Sequence, residues 1–203
     1  MSQSDRDRWD AKYAEKTLTT IASPDEWLFQ HATRRVTGRA LDLACGLGQN
    51  AIWLAQQGWS VDAVDISPVG LALARREAAR ADAPAINWIV ADLDVFEALS
   101  DKYDLVTVFR FLDRQRLPQL IEQSLSPGGI LIYETFSQGQ LSRADNHLKS
   151  ARYTLGPGEL PKLFPGLEIV FHEETELTDQ SVARLVARKP DARYWGPSKV
   201  VPV

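Results

Sequence analysis

A short glycine-containing segment carries the residues whose types and spacing best suit chemistry. It spans residues 41–52, with the sequence LDLACGLGQNAI, between a predicted strand and a predicted helix. Gly46 and Gly48 allow the backbone to turn tightly and to approach a ligand closely. Open α/β sheets bind their ligands at the carboxyl ends of the strands, where this segment lies. The segment is therefore predicted to bind a cofactor.

Two classes of cofactor fit this segment when it is considered alone. Residues 46–51 match G-x-G-x-x-A, the dinucleotide fingerprint. Asp65 follows Gly46 by 19 residues, at the end of the next predicted strand. A carboxylate at that place would bind ribose hydroxyl groups in a nicotinamide-dependent enzyme and in a methyltransferase alike. An NAD(P)-dependent oxidoreductase is therefore one hypothesis for the function.

Three further features favour S-adenosylmethionine. Asp42 lies inside the first predicted strand, where its carboxylate can hold the ammonium group of a cofactor with an amino acid end, directly or through water. Asp92 ends the third predicted strand, where it can accept a hydrogen bond from an adenine amino group. The last two predicted strands form a hairpin that reverses one strand, a feature that dinucleotide domains lack.

The elements that position these residues alternate between short apolar strands and helical patterns. Five strands are predicted at residues 39–44, 60–66, 86–92, 103–110 and 130–136. Residues 167–172 and 182–188 follow without a helix-length segment between them, so they are predicted to pair as an antiparallel hairpin. The predicted fold is α/β: a Rossmann-like, doubly wound, mostly parallel seven-stranded sheet with an antiparallel C-terminal hairpin strand.

The length of 203 residues suits one domain with a full hydrophobic core. We predict a single domain over 1–203, with an N-terminal helical extension at 1–36, the Rossmann-like core at 37–190 and a C-terminal tail at 191–203. Residues 137–157 form a long irregular segment after the fifth predicted strand. A loop of that length in a compact domain is usually functional or disordered.

Composition excludes several other functions. The net charge of −4, without a basic stripe, argues against binding of bulk nucleic acid. No apolar run approaches the roughly 20 residues that span a membrane, and the polar N-terminus is unlike a signal peptide, so we expect a cytoplasmic protein. Cys45 is the only cysteine, and the histidines are dispersed, so no disulfide and no metal site are expected. The sequence does not indicate an oligomeric state.

Taken together, the motifs resemble those of the class I S-adenosylmethionine-dependent methyltransferases, and most closely the subgroup of the tellurite-resistance and thiopurine methyltransferases. Residues 42–48 resemble the first motif of the family, in the variant where Ala44-Cys45 replaces Gly-x, and Asp65 resembles its second-strand acid. Residues 91–93 resemble the adenine-side motif, and residues 127–132 the turn and strand that follow. Residues 9–13, WDAKY, resemble an N-terminal element that closes over the cofactor.

This resemblance implies methyl transfer from S-adenosylmethionine to a small-molecule acceptor, such as a thiol, an oxyanion or another soft nucleophile. A non-catalytic S-adenosylmethionine-binding regulator is the alternative of a different class. The residues expected to bind the cofactor are Trp9, Tyr13, Asp42, Ala44, Gly46, Gly48, Asn50, Asp65, Ile66, Asp92, Leu93 and Phe109.

No residue is identified as catalytic from the sequence, and the candidates are Arg110 and His147. The reaction needs a base only when the acceptor is protonated at neutral pH. Arg110 is expected to point away from the sulfonium, toward Glu134 or an anionic substrate, because like charges repel. The loop at 137–155 is predicted to cover the acceptor site with a positive inner surface. Four residues would supply that charge: Arg143, His147, Lys149 and Arg152.

Overall fold

The protein is described by a computed structural model, which covers residues 3–16, 23–33, 36–146, 148 and 150–191. These residues contain one seven-stranded sheet, in the order β3-β2-β1-β4-β5-β7-β6. Its strands are β1 (Arg39–Leu43), β2 (Ser60–Asp65), β3 (Asn87–Val90), β4 (Tyr103–Phe109), β5 (Leu125–Phe136), β6 (Glu168–Glu176) and β7 (Ser181–Arg188). Strand β7 runs antiparallel to both of its neighbours, whereas the other pairs are parallel. The predicted sheet and its antiparallel C-terminal hairpin are confirmed.

Five α-helices accompany the sheet in the described part of the chain. They are α1 (Gln3–Ala14), α2 (Glu26–Ala32), α3 (Gln49–Gln56), α4 (Pro68–Arg80) and α5 (Leu117–Ser124). Helix α4 begins as its sequence predicts, because the Ser67 hydroxyl oxygen accepts from the Gly70 N–H and Pro68 occupies the first turn. Within these ranges, no helix combines the length and the apolar character that a membrane span requires.

Each face of the sheet buries its own apolar cluster, because successive side chains along a strand point to opposite faces. Leu41 and Leu43 of β1 pack in the cluster that includes α5. Ala40 of β1 packs in the cluster that includes α2 and α3. Asp42 lies between these leucines in the sequence, so its carboxylate belongs to the α2–α3 face. The alternation therefore places a charged group in an otherwise apolar layer.

Strand β5 begins earlier than the sequence indicates. We predicted a turn at Pro127 and a strand from residue 130, whereas the strand starts at Leu125 and includes that turn sequence. The pairing with β4 shifts register between Tyr103 and Leu105, where the chain accommodates the turn residues. A Cβ on Gly129 would lie 2.7 Å from the Tyr103 carbonyl oxygen, so glycine permits this close approach.

The segment after β5 is a loop closed at its base rather than an open irregular stretch. The Leu155 N–H donates to the Phe136 carbonyl and the Gln138 N–H donates to the Leu155 carbonyl, both at 2.9 Å. Short 3-10 helices at Gln138–Ser142 and Ala151–Tyr153 lie within it. These bonds hold both ends of the loop at the C-terminal edge of the sheet.

Candidate functional site

The glycine segment forms a tight turn between β1 and α3. Ala44, Gly46 and Gly48 have φ angles of +56°, +56° and +77°, which glycine adopts far more readily than other residues. A Cβ on Gly48 would lie 2.5 Å from the Trp88 ring, so close packing also requires glycine there. Ala44 adopts this conformation despite its side chain. The turn thus brings the backbone to the edge of the sheet, where a cofactor could approach it.

Asp65 connects this turn to the helix that follows β2. Its two carboxylate oxygens accept from the Gly46 N–H at 2.8 Å and from the Ser67 N–H at 2.9 Å. Burial raises its pKa, although these backbone donors oppose the shift. Each oxygen retains acceptor capacity, so the carboxylate suits a pair of ribose hydroxyl groups.

Asp42 is a buried carboxylate on the strand that leads into the turn, and one of its oxygens lacks a hydrogen-bond partner among the described residues. It is 2% exposed, and the Thr107 hydroxyl donates to its Oδ1 at 2.8 Å. Its Oδ2 is buried and has no hydrogen-bond partner among the described residues. Burial raises the pKa of this carboxyl to about 7, the hydrogen bonds from the Thr107 hydroxyl and the Ala51 backbone oppose the shift, and the negative charges of Asp25 and Asp65 add to it. A cationic ligand group would supply the partner that Oδ2 lacks.

The side chain of Asn50 forms its hydrogen bonds within the protein. Its Nδ2 donates to Asp25 Oδ2 and its Oδ1 accepts from the Asp25 backbone N–H, both at 2.9 Å. The Asn50 side chain therefore supports the first turn of α3, and its predicted contact with the cofactor has no support in these bonds. Asp25 did not figure among the residues expected from the sequence, since 25 positions separate it from its partner.

Arg110 follows β4 and points toward Glu134, as expected, and also toward Asp25, which the sequence did not indicate. Its guanidinium forms ion pairs with Asp25 and, at 3.5 Å, with Glu134. It has a φ of +55°, a left-handed conformation that costs a non-glycine residue roughly 1–2 kcal/mol. The ion pairs hold its charge on the α2–α3 side of the sheet.

Helix α1 lies over the glycine turn and the start of α4. A Cβ on Gly46 would lie 2.9 Å from the Tyr13 hydroxyl, and one on Gly70 would lie 2.7 Å from the Tyr13 ring. Trp9 stacks on Tyr13 with ring centroids 5.5 Å apart. The Asp10 carboxylate accepts from the Ser67 hydroxyl and from the Val69 N–H. The N-terminal element thus covers the turn, and its closure over a cofactor stays a prediction.

The predicted adenine-side residues have structural partners of their own. Asp92 Oδ1 accepts from the Asp94 N–H at 2.9 Å, an arrangement that caps the turn after β3. Ile66 and Leu93 are each 3% exposed, and Leu93 packs in the cluster with α5. Phe109 packs in the opposite cluster. Their cofactor contacts stay predictions.

Comparison with known proteins relates this chain to methyltransferases. Residues 40–129 match the model of a family described as a methyltransferase domain. The cypemycin N-terminal methyltransferase of Streptomyces sp is 30% identical over 139 residues, which cover 64% of this chain and 54% of that protein. The structure of an S-adenosylmethionine-dependent methyltransferase from Mesorhizobium loti superposes with a TM-score of 0.62 at 23% identity, over 81% of this chain and 97% of the other.

The chain thus contains a segment that matches a methyltransferase domain, and it has the fold of S-adenosylmethionine-dependent methyltransferases of known structure. The matched domain and the fold imply S-adenosylmethionine as the cofactor. TehB from Haemophilus influenzae is also similar in structure, with a TM-score of 0.65 at 21% identity, over 91% of this chain and 66% of TehB. That identity supports the fold alone, so the tellurite-resistance and thiopurine subgroup stays a prediction. The chain spans 32%, 54% and 31% of the length of three curated relatives that it matches.

In the loop after β5, one arginine does not have the role that the sequence predicts. Arg143 was expected to face an acceptor, but its guanidinium pairs with Asp145 and Glu176 and donates to two carbonyls of the β6–β7 turn. Arg143 therefore fixes the loop to the hairpin. The predicted contributions of His147 and Lys149 lie outside the described residues.

Two arginine side chains, those of Arg8 in helix α1 and Arg152 in this loop, lie close together. Arg8 donates to the Tyr153 hydroxyl at 3.4 Å, and Arg152 donates to the same oxygen. These two hydrogen bonds, that of Arg8 first, lower the pKa of Tyr153. Arg114, which follows β4, donates to the carbonyls of Arg152 and Thr154 at 2.9 and 2.7 Å. The turn that carries Tyr153 is thereby fixed to the β4 side of the sheet.

Three residues of this site were missed by sequence reasoning: Asp25, Arg8 and Tyr153. Asp25 lies at an ordinary helix start, Arg8 in a charged helix and Tyr153 in a polar loop, so none of these local patterns indicates a site. Their partners lie 25, 145 and 145 positions away or on other elements, so no short-range spacing relates them. For Asp25, the only local sign in the sequence was an acidic residue immediately before a helix.

Proposed function

We propose that this protein transfers the methyl group of S-adenosylmethionine to a small-molecule acceptor. The observation that carries the proposal is the unpartnered, buried Oδ2 of Asp42 beside the glycine turn. A carboxylate that lacks a partner in a buried site is best satisfied by a cation, and the amino acid end of this cofactor carries an ammonium group. A dinucleotide offers no such group at that end.

The residues around the turn divide the binding work. Asp42 would hold the ammonium group, Asp65 the ribose hydroxyl groups and Asp92 the adenine amino group. When bound, the cofactor supplies an activated methyl on its sulfonium. The protein aligns the acceptor with that methyl, and alignment alone contributes on the order of 7–11 kcal/mol in well-oriented cases. Helix α1 excludes water from above the turn.

The acceptor is proposed to enter between α1 and the turn at Ala151–Tyr153. Two guanidinium groups, those of Arg8 and Arg152, converge there on the Tyr153 oxygen. Arg8 already pairs with the Asp5 carboxylate at 3.0 Å, whereas Arg152 donates to the neutral phenol of Tyr153, so an anionic group would be a better partner chiefly for Arg152. This favours an acceptor with an anionic group.

The test is formation of S-adenosylhomocysteine with a panel of small thiols, selenite- and tellurite-like oxyanions, amines and carboxylate-bearing acceptors. Calorimetry with S-adenosylhomocysteine and NAD accompanies it. We expect binding of the former, no binding of NAD, and turnover with at least one anionic acceptor. Binding without turnover of any acceptor would favour a regulator, and binding of NAD alone would favour an oxidoreductase.

Asp42→Asn is the variant that tests the observation itself. It should abolish cofactor binding, because an amide cannot pair with an ammonium group as a carboxylate does. Asp62→Asn is the matched control, since Asp62 is also a buried strand aspartate. Its partners Arg39, Asn87 and Tyr103 lie at the opposite edge of the sheet. Equal losses in both variants would contradict the assignment of Asp42.

A further inference from the structure

Asp25 connects the N-terminal extension to the glycine turn. It is 8% exposed, immediately precedes α2, and exchanges two hydrogen bonds with Asn50. Asn50 is the second residue of α3 and lies two positions after Gly48. Gln49 adds a longer contact to the same carboxylate, at 3.4 Å. A charged group is thus held against the start of the helix that leaves the cofactor turn.

The same carboxylate is one end of a chain of alternating charges. Arg110 pairs with Asp25 and with Glu134, whose other oxygen accepts from Arg184 Nε at 2.7 Å. Arg184 also pairs with Glu173 at 3.2 Å. Glu134, Arg184 and Glu173 occupy matching positions on the adjacent strands β5, β7 and β6. This series of ion pairs therefore runs across strands β6, β7 and β5 and ends at Asp25, the member nearest the turn.

Arg110 depends on Asp25 more than on Glu134. Glu134 is shared with Arg184, which is closer to it than Arg110 is, at 2.7 Å against 3.5 Å. Arg110 also has a φ of +55°, and such strain persists only where the surroundings hold it. Without Asp25, the guanidinium would keep only the longer ion pair to Glu134, whose charge Arg184 shares.

The effect of Asp25 extends to the cofactor residues. Its negative charge acts on Asp42, the carboxylate with the unpartnered oxygen. A charge in a buried site affects the binding of a charged ligand more than one in solvent does, because the surroundings screen it poorly. Loss of the Asp25 charge would therefore change the affinity of a ligand with one more positive charge more than that of its less charged counterpart.

We propose that Asp25 is a positioning residue that neutralises Arg110 and makes the site favour the charged sulfonium of S-adenosylmethionine over the neutral thioether of S-adenosylhomocysteine. The inference rests on the proposed function. The preference resides in a residue of the N-terminal extension, outside the glycine turn.

Asp25→Asn tests this proposal, since it keeps the shape and the backbone hydrogen bond to Asn50 but removes the charge. Calorimetry gives the dissociation constants of both cofactor forms for each variant. We expect the dissociation constant of S-adenosylmethionine to rise roughly tenfold more than that of S-adenosylhomocysteine. A purely structural role would weaken both forms by the same factor.

Two further variants separate charge from packing. Asp25→Asn combined with Arg110→Gln removes both members of the ion pair and should restore most of the preference. Glu173→Gln makes the same chemical change at the far end of the charge chain and should leave the preference unchanged. Circular dichroism and thermal unfolding establish that each variant is folded.

The outcomes distinguish the two proposals. A wild-type protein that binds neither cofactor form would overturn the proposed function and this inference with it. A wild-type protein that binds both, with a preference that Asp25→Asn leaves within twofold of the original value, would overturn the inference alone. A lost preference that the double variant fails to restore would do so as well, because the charge of Arg110 would then not be the cause.

Discussion

The protonation of Asp42 should control cofactor affinity. Burial raises the pKa of this carboxyl to about 7 in the free protein, with further contributions from the charges of Asp25 and Asp65. An ammonium group binds the ionised form. Below pH 7 the carboxyl must therefore lose its proton before the cofactor can bind, and affinity should fall as the pH falls.

The magnitude follows from the pKa. Each pH unit below it costs 1.36 kcal/mol, so at pH 5 the cost is about 2.7 kcal/mol and the affinity is about 100-fold weaker than at pH 8. The stability of the free protein depends on pH in the opposite direction. Because the folded pKa of Asp42 lies above its ordinary value of 3.8, the free protein loses stability as pH rises from about 4 to about 7, by about 4 kcal/mol from this group.

The assay is calorimetric titration of S-adenosylhomocysteine from pH 5 to pH 8, in pairs of buffers with different ionisation enthalpies. Near pH 6 the buffer pairs should reveal release of close to one proton on binding, and at pH 8 release of close to none. Asp62→Asn should keep this profile. At pH 8, Asp42→Asn should be more stable to urea than the wild type, since it buries no charge.

A dissociation constant independent of pH would refute this reasoning. Proton release that persists in a binding-competent Asp42→Asn variant would refute it too, because the proton would then come from another group. If that variant unfolds earlier than the wild type at pH 8, the buried carboxylate does not carry the stability cost assigned to it.

Three other predictions concern the turn and the loop. Gly48→Ala should lower the unfolding free energy by roughly 1–3 kcal/mol, measured in urea, because its Cβ would meet the Trp88 ring at 2.5 Å; an unchanged midpoint would contradict this. Asp65→Ala should weaken S-adenosylhomocysteine binding by roughly 1.5–3 kcal/mol in calorimetry, the usual worth of charge-assisted hydrogen bonds, and an unaltered affinity in a folded variant would remove it from the ribose site. Arg152→Gln should raise the Michaelis constant of an anionic acceptor, whereas Arg143→Gln, which loses only structural bonds, should lower the melting temperature and leave that constant unchanged.

The sequence determined the sheet and the cofactor turn, because both arise from local patterns. Alternating apolar strands and helices specify a parallel sheet, and the absence of a helix between the last two strands specifies the hairpin. Gly46, Gly48 and Asp65 lie within 20 positions of one another, so their spacing alone indicated a ligand turn. The presence of Asp42 inside a strand was enough to indicate a buried carboxylate.

Only the tertiary structure decided which charged groups meet. Arg143 and Arg152 stand nine positions apart in one basic loop, yet Arg143 binds the hairpin and Arg152 binds Tyr153. The partners of Arg143 come from β6 and the turn after it, whereas Arg152 bonds the adjacent Tyr153, which Arg8 of helix α1 also contacts. The positions of these elements depend on how they pack. Charge attraction has no sequence period, unlike the burial of apolar faces, so a charged residue gives no local sign of its partner. For the same reason the pair of Asp25 and Arg110 appears only when α2 lies against the end of β4.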